Sequence, residues 1–402
     1  MKIRIVTLAS FPEGLAATSR IRCYAKALQE QGDDVEVVSP KNIHLLPGRC
    51  WLFEGESEGI RFRLLCNREA KGGLWKRYLR AYMEPIVLSL YTIATMWQCD
   101  VFFIYANTAM SRFLMMLLLR VGGKKIVLEL NEYPYATEGS RITRLPGVSY
   151  FLRAFVLHAV FPLANGFIVI SQALEDVAKR YAPKTKKILV PILTEHLPSP
   201  SPKRKAGTEE VYLFHAGSLS EQKDGILAVF DAFSMAHQML NEQYGIRLKF
   251  FLTNKVTQSS TWEGIVRILA KHGLHDAIVI TGFCPERNLQ GLMSGALAHI
   301  INKPKSFQNH YNFPTKLGSC LASGRPVIFA AEGLEANRYL VDGDNAFVVA
   351  PDDSEKMAKA VVRCYHEREL GANIGKRGME TVEQHFHYGR HALRMNKFIR
   401  SL

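Results

Sequence analysis

Short apolar runs alternate along the chain with longer amphipathic stretches. The apolar runs of the first half include Lys2–Ser10, Val35–Val38, Val101–Tyr105, Lys125–Leu130 and Gly166–Ile170. Runs of this length are typical of strands that are buried on both faces of a parallel sheet. The stretch 18–31 has the apolar spacing of a helix. The first half therefore predicts a parallel sheet with helical crossovers.

The same alternation restarts in the second half. Val211–Gly217 predicts a strand and Asp224–His237 a helix, and further strands are predicted near 246–253, 277–282, 297–301, 326–330 and 346–349. Between the halves, Pro198–Gly207 has no periodicity, which is typical of an exposed linker. We therefore predict an α/β protein with two doubly wound, Rossmann-like domains, 1–200 and 201–380, and a final helix at about 380–402 that packs back on the first domain.

Composition and charge narrow the classes of partner. With 48% hydrophobic and 22% charged residues among 402, the chain is an ordinary globular protein that is long enough for two cores. Its net charge of +14 favours anionic partners, and residues 1–200 carry +9 of it, from 26 basic and 17 acidic side chains. No nucleic-acid-binding module is recognisable, so nucleic acid is not an expected partner.

Cysteine usage and the N-terminal residues predict a cytoplasmic protein. The seven cysteines are scattered, without a C-x-x-C pair or the spacing of metal ligands. Charges interrupt Met1–Val6 before an apolar signal segment can form, so a first strand is expected there. The longest apolar stretches, Pro85–Trp97 and Val148–Ile170, are too short or too interrupted to span a bilayer, which predicts buried or interfacial helices.

The loop after the first predicted strand is a candidate anion site. Gly14 lies in it and Arg20 follows in the next helix, where a backbone close to phosphate and the helix dipole would favour an anion. An ordinary tight turn and a solvated arginine are the alternatives. The loop does not contain G-x-G-x-x-G, so no dinucleotide cofactor is expected.

A similar loop opens the second half. Gly217 follows a strand, and Lys223 precedes a helix, where its charge would neutralise a diphosphate leaving group. A merely solvated lysine is the alternative.

The most informative segment is Asn309–Val327, which contains Phe-Pro-Thr-Lys-Leu followed by Ala-Ser-Gly-Arg-Pro-Val. It resembles the donor-site segment of family 4 glycosyltransferases, especially bacterial polysaccharide-biosynthesis members. Other segments match that family in the same order: the Gly14 loop with Arg20, Val169–Leu174, Ala216–Leu219 with Lys223, Ile280–Phe283 and Tyr339–Phe347. The resemblance implies the GT-B fold, in which two Rossmann-like domains face each other across a cleft.

The resemblance also implies an activity. A family member would be a retaining glycosyltransferase, a hexosyltransferase that takes a sugar from a nucleotide diphosphate without an obligatory metal or other cofactor. The second domain would hold this nucleotide-sugar donor. Lys223, Lys316 and the N-terminus of the helix after Pro314 would offset the phosphate charge.

The family pattern places further residues around the donor. Gly282 and Phe283 would lie beside the nucleobase, and Phe313, Pro314 and Thr315 would face the sugar and the diphosphate. Core packing is the alternative for Phe313.

Candidate catalytic residues come from the first domain. After a predicted strand, relatives carry a His-Asp pair near the reacting sugar, and the corresponding residues here are Asn131 and Glu132. Asn131 could hydrogen-bond a sugar hydroxyl, and Glu132 could orient an acceptor hydroxyl or take its proton. The alternative is an exposed polar loop.

One departure from the family pattern concerns its pair of glutamates. Their positions are occupied by Tyr311 and Ser319, and a serine lacks the two acceptor oxygens that a carboxylate offers to a ribose. The alternative function is therefore a non-catalytic subunit that binds a sugar nucleotide or a glycan. A nucleotide-sugar epimerase of the same architecture is a weaker alternative, because the chain has no recognisable constellation of paired carboxylates and histidine.

The segment Lys71–Tyr82 interleaves basic and aromatic residues. It suits peripheral docking on an anionic membrane, which would place the protein on the inner face of the cytoplasmic membrane and fit a lipid-linked glycan acceptor. A solvated helix face is an equal alternative.

Overall fold

The computed structural model of the protein describes residues 1–14, 16–42, 52–65, 74–105, 112–135, 147–195, 210–215, 217, 219–253, 259–282, 284 and 286–402. The chain divides into two compact units. The first contains Met1–Glu195, Tyr311–Phe313 and His387–Leu402, and the second contains His196–His310 and Pro314–Phe386.

The first unit is built on a sheet of eight strands. In chain order they are β1 Lys2–Thr7, β2 Asp34–Ser39, β3 Phe53–Ser57, β4 Ile60–Leu64, β5 Val101–Tyr105, β6 Lys125–Leu130, β7 Gly166–Val169 and β8 Lys186–Leu189. Their spatial order is β3-β4-β2-β1-β5-β6-β7-β8, and only β3 runs antiparallel to its neighbour. The central strands are buried on both faces, which explains their continuous apolar sequences.

Helices cover this sheet. They are α1 Ala16–Gln29, α2 Leu74–Ala94, α3 Phe113–Val121, α4 Val148–Phe155, α5 Gln172–Tyr181 and α14 Gly389–Arg400. The last of them comes from the C-terminal end of the chain and packs against α1. Asp33 anchors it, because its carboxylate accepts hydrogen bonds from Asn396 at 2.6 Å and from Arg400 at 2.9 Å.

The second unit has a fully parallel sheet of six strands. They are β9 Tyr212–His215, β10 Lys249–Leu252, β11 Ile278–Ile280, β12 Ala298–Asn302, β13 Val327–Ala330 and β14 Phe347–Val349, in the spatial order β11-β10-β9-β12-β13-β14. Its helices are α6 Glu221–Asp224, α7 Ile226–Tyr244, α8 Ser260–His272, α9 Glu286–Gly295, α10 Phe307–Tyr311, α11 Lys316–Ala322, α12 Ser354–His366 and α13 Arg368–Thr381. The core lies between the sheet and helices such as α7 and α12.

Each sheet has a point at which the chain reverses the direction of its winding. In the first sheet this point lies between β1 and β5, and in the second between β9 and β12. Ligands of doubly wound sheets bind beyond the carboxyl ends of the strands at such points. The loops after these four strands are therefore the first places to look for a site.

Candidate functional site

Charged side chains meet at the switch point of the second sheet. Lys303 follows β12, and its ammonium forms an ion pair with Asp224 of α6 at 2.6 Å. Lys316, the first residue of α11, brings its Nζ atom to 3.4 Å from Nε2 of His215, the last residue of β9. We call Lys316, His215, Asp224, Lys303 and Gly217 the switch-point cluster.

Gly217 is placed so that the lysine can reach its backbone. It adopts a φ of +112°, which residues with a Cβ rarely adopt, and a Cβ built there would lie 2.8 Å from Nζ of Lys316. Glycine is therefore needed both for the conformation and for the close approach of the ammonium.

The charged groups of the cluster shift one another's pKa values. Burial lowers the pKa of the Lys316 ammonium below its ordinary value, although Asp224 opposes the shift. Burial acts to raise the pKa of Asp224, but Lys316 and Lys303 outweigh it, so that pKa lies below its ordinary value. Asp224 stays ionised, and an anion bound beside Lys316 would relieve the cost of its burial.

The backbone of Lys223 contacts the switch-point cluster. Its carbonyl oxygen accepts hydrogen bonds from Lys303 Nζ at 3.2 Å and from Asn309 Nδ2 at 3.1 Å. Its own N–H donates to Ser220, which caps α6. The sequence-predicted residues Gly217, Lys223 and Lys316 thus come together in one unit, and Lys303, Asp224 and His215 join them without having been predicted.

Other predicted donor residues lie outside the switch-point cluster. Thr315, just before α11, and Ser319, on α11, are both exposed. Gly282 follows β11 with a φ of +70°, and a Cβ built on it would meet no atom within 4 Å. Phe283 lies outside the described residues.

Two of the predicted sugar-facing side chains are buried in the structure. Phe313 is only 4% exposed, and Pro314 is also buried. For Phe313 the packing alternative describes its environment.

Arg20, a predicted donor residue, is held by contacts within the first unit. Its guanidinium pairs with the buried carboxylate of Glu129 at 2.9 Å and donates to the carbonyl oxygens of Val190 at 3.1 Å and Pro191 at 2.8 Å. Through these contacts, which involve all three nitrogens, Arg20 fastens α1 to β6 and to the end of β8.

Gly14 packs closely within the loop between β1 and α1. A Cβ built on it would lie 1.7 Å from Oγ1 of Thr18, whose hydroxyl donates to the carbonyl of Ser10 at 2.7 Å. The tight-turn alternative explains this glycine.

The candidate catalytic residues follow β6 in the first unit. Nδ2 of Asn131 lies 3.5 Å from the hydroxyl of Tyr105 at the end of the adjacent β5, and Glu132 is exposed. Glu129, the second-last residue of β6, is buried. Burial raises its pKa to about 6, although Arg20 opposes the shift. Glu129 was not predicted from the sequence, because a single acidic residue in an apolar strand carries no motif.

Tyr311 belongs to an aromatic group in the first unit. Its ring contacts that of Tyr133 with centroids 4.6 Å apart, and the guanidinium of Arg153 lies 5.4 Å from the Tyr133 ring centroid. Ser171 donates to the Tyr311 carbonyl at 2.7 Å while its oxygen caps α5 at Leu174. At the position of a family carboxylate the chain therefore has a packed aromatic ring.

Residues 210–367 match the family model described as Glycosyl transferases group 1. The matched range contains the whole switch-point cluster. Among curated protein sequences, none matches the chain significantly.

Solved structures resemble the chain over its full length. Sucrose-phosphate synthase from Thermosynechococcus elongatus has a TM-score of 0.70 at 16% identity, over 100% of this chain and 98% of that chain. Anabaena HepE in complex with UDP and glucose has a TM-score of 0.71 at 15% identity, over 100% of both chains. The trehalose 6-phosphate synthase of Burkholderia multivorans has a TM-score of 0.66 at 13% identity, over 100% of this chain and 96% of that chain. The fold is GT-B. The predicted fold class, α/β with two doubly wound Rossmann-like domains, is confirmed.

Two further findings concern metals and membranes. Within the described ranges, His, Cys, Asp and Glu side chains form no group of three or more that could hold a metal ion. None of the helices described is long and apolar enough to cross a membrane. Of the segment 71–82, residues 71–73 lie outside the described residues, and for 74–82 only the helical backbone is described.

Proposed function

We propose that the chain is a retaining glycosyltransferase of the family 4 polysaccharide-biosynthesis type, which transfers a sugar from a nucleotide diphosphate to a lipid-linked glycan acceptor. The second unit takes the donor and the first unit the acceptor, and no obligatory metal takes part. The match of residues 210–367 to a glycosyltransferase model and the GT-B fold support sugar transfer. Structures of HepE with UDP and with UDP-glucose support a nucleotide-sugar donor.

The observation that carries the proposal is the switch-point cluster. Lys316 and Lys303 supply two positive charges against the one of Asp224, at the place where a doubly wound sheet binds its ligand. When the bond between the sugar C1 and the β-phosphate oxygen breaks, both electrons leave with the nucleoside diphosphate. A fixed ammonium beside that oxygen stabilises the charge that develops.

The acceptor step uses the first unit. The acceptor hydroxyl oxygen bonds to C1 on the same face from which the diphosphate leaves, so the configuration at C1 is retained, and the hydroxyl proton passes to the Glu132 carboxylate. Asn131, whose amide is placed against Tyr105, donates to a sugar hydroxyl. The acceptor glycan is lipid-linked, so the protein works at the inner face of the cytoplasmic membrane.

A donor screen tests this function. Purified protein is mixed with UDP-, GDP-, dTDP- and ADP-sugars, with and without EDTA, while melting temperature and release of nucleoside diphosphate are measured. We expect one donor to raise the melting temperature and to be hydrolysed equally well with EDTA. A donor that raises the melting temperature without being hydrolysed would favour the non-catalytic subunit. If no donor in the panel raised the melting temperature or released nucleoside diphosphate, both functions would be contradicted.

Changing Ser319 to glutamate tests how the donor ribose is held. Because the side chain is exposed on α11, a carboxylate fits there and offers two acceptor oxygens to the ribose hydroxyls. We expect the Kd for the donor to fall by roughly tenfold, the effect of one hydrogen bond to a charged group. Ser319→Gln is the matched control, since it has similar volume without the charge. Equal Kd values for both variants and the wild type would place the ribose elsewhere.

A further inference from the structure

Helix α2 exposes apolar residues on its outer side. Its exposed residues in the range 83–90 are Met83, Ile86, Val87 and Leu90. The spacing of three, four and seven residues places them on one stripe of the helix. Leu88 and Thr92 lie on the buried side. The usual pattern of a surface helix, polar outside and apolar inside, is therefore absent from this stripe.

Helix α3 repeats the arrangement. Leu114, Leu118 and Val121 form an exposed stripe at spacings of four and three residues. On the same helix Met115, Met116 and Leu119 are buried against the sheet side. Both faces of α3 are thus apolar, and the stripe of Leu114, Leu118 and Val121 is exposed among the residues that the structure describes.

The two stripes are neighbours. Helices α2 and α3 pack together, and a Cβ built on Gly122, at the end of α3, would lie 2.9 Å from Cε of Met96, which follows α2. Trp97, next in the chain, is 70% exposed, and Nζ of Lys124 lies 5.3 Å from its ring centroid. We call this surface the apolar face: Met83, Ile86, Val87, Leu90, Trp97, Leu114, Leu118 and Val121. Exposed apolar side chains on two helices that pack together mark a docking site for a protein or a membrane.

Charge distinguishes between these occupants. Leaving out the buried Arg112, residues 74–125, which contain the apolar face, carry six basic and two acidic side chains, or +4 of the net +14. One of the acids, Glu84, is already paired with Lys41 at 3.4 Å. Two copies of the chain that met through this face would bring like charges together, whereas anionic headgroups would be attracted to it. Trp97 beside Lys124 has the amphipathic character that is favoured at the headgroup level.

We propose that the apolar face docks the first unit on an anionic lipid bilayer, with its aliphatic side chains in the acyl boundary and Arg120 and Lys124 among the headgroups. The inference deepens the proposed function, on which its link to a lipid-linked acceptor rests. Docking itself needs neither donor nor acceptor. A vesicle-binding measurement without either substrate therefore succeeds or fails independently of the donor screen.

The test is flotation of the full chain with vesicles of phosphatidylcholine alone or mixed with phosphatidylglycerol. We expect the wild type to float with the anionic vesicles only, and less at high salt, because screening weakens the headgroup attraction. The double variant Leu90→Gln with Val121→Gln should bind at least about tenfold more weakly, since it removes apolar area from both stripes. The matched control is Leu393→Gln with Val341→Gln, which changes two apolar residues exposed elsewhere and should bind like the wild type.

Three outcomes would overturn the proposal. One is equal flotation of the wild type and the Leu90→Gln, Val121→Gln variant, with circular dichroism showing both folded. Another is equal binding to neutral and anionic vesicles. The third is a concentration-dependent dimer in light scattering that the variant abolishes while the wild type ignores vesicles, which would assign the face to a second copy of the chain.

Discussion

Replacing Lys316 with methionine will lower kcat/KM for the donor by roughly 10²–10³-fold, the cost of removing one fixed group that stabilises a developing negative charge. Methionine keeps most of the length and apolar volume of the lysine stem, so the packing around α11 is retained. The ammonium beside Gly217 and His215 is lost. Steady-state release of nucleoside diphosphate measures the effect.

A matched lysine in the same unit provides the control. The ammonium of Lys305 pairs with Glu332 at 2.8 Å, and its side chain is 69% exposed. Lys305→Met should leave kcat/KM within about twofold of the wild type, because an exposed pair contributes little. Equal losses in the two variants would mean that general charge, and not the switch-point cluster, governs the donor.

Replacing Glu129 with leucine will lower the free energy of unfolding by about 3–5 kcal/mol, since it removes both the acceptor and the counter-charge of the buried Arg20 guanidinium. Arg20 would keep its two carbonyl contacts but lose its counter-charge. Urea denaturation measures the change. Glu355→Leu is the matched control, because Glu355 pairs with Lys359 on the surface, and its denaturation midpoint should equal that of the wild type.

The pH dependence gives a second readout of the same pair. Burial raises the pKa of Glu129 from 4.5 to about 6, so between these values the folded protein holds a proton that the unfolded chain releases. Stability contributed by this group is therefore fully present below 4.5 and decreases as the pH rises to about 6. Glu129→Leu should remove this slope. A variant that unfolds at the same urea concentration as the wild type, with the same pH dependence, would contradict the role of the pair.

The strands that sequence predicts well are those buried on both faces. β5, β7 and β13 are continuous apolar runs because helices cover each side of the sheet. The hairpin of β3 and β4 was missed, since it lies at the sheet edge and its exposed positions carry charges such as those of Glu54 and Arg63, which pair at 3.3 Å.

Residues of the candidate site were predictable only where a motif or a loop marked them. Lys316 and Gly217 stood in segments that resemble a family. The ion pair of Arg20 was not predictable, because its partner Glu129 is 109 positions away in the sequence and no local pattern encodes that pairing. Asp224 and Lys303 were missed for the same reason, since their ion pair exists only once β12 lies beside β9.

The most direct test is a crystal structure with the nucleoside diphosphate of the donor that responds in the screen. We expect the diphosphate to lie at the loop containing Gly217, with a phosphate oxygen within about 3 Å of Nζ of Lys316, the distance of a charge-assisted hydrogen bond. A diphosphate bound away from both residues would contradict the assignment of the switch-point cluster as the donor site.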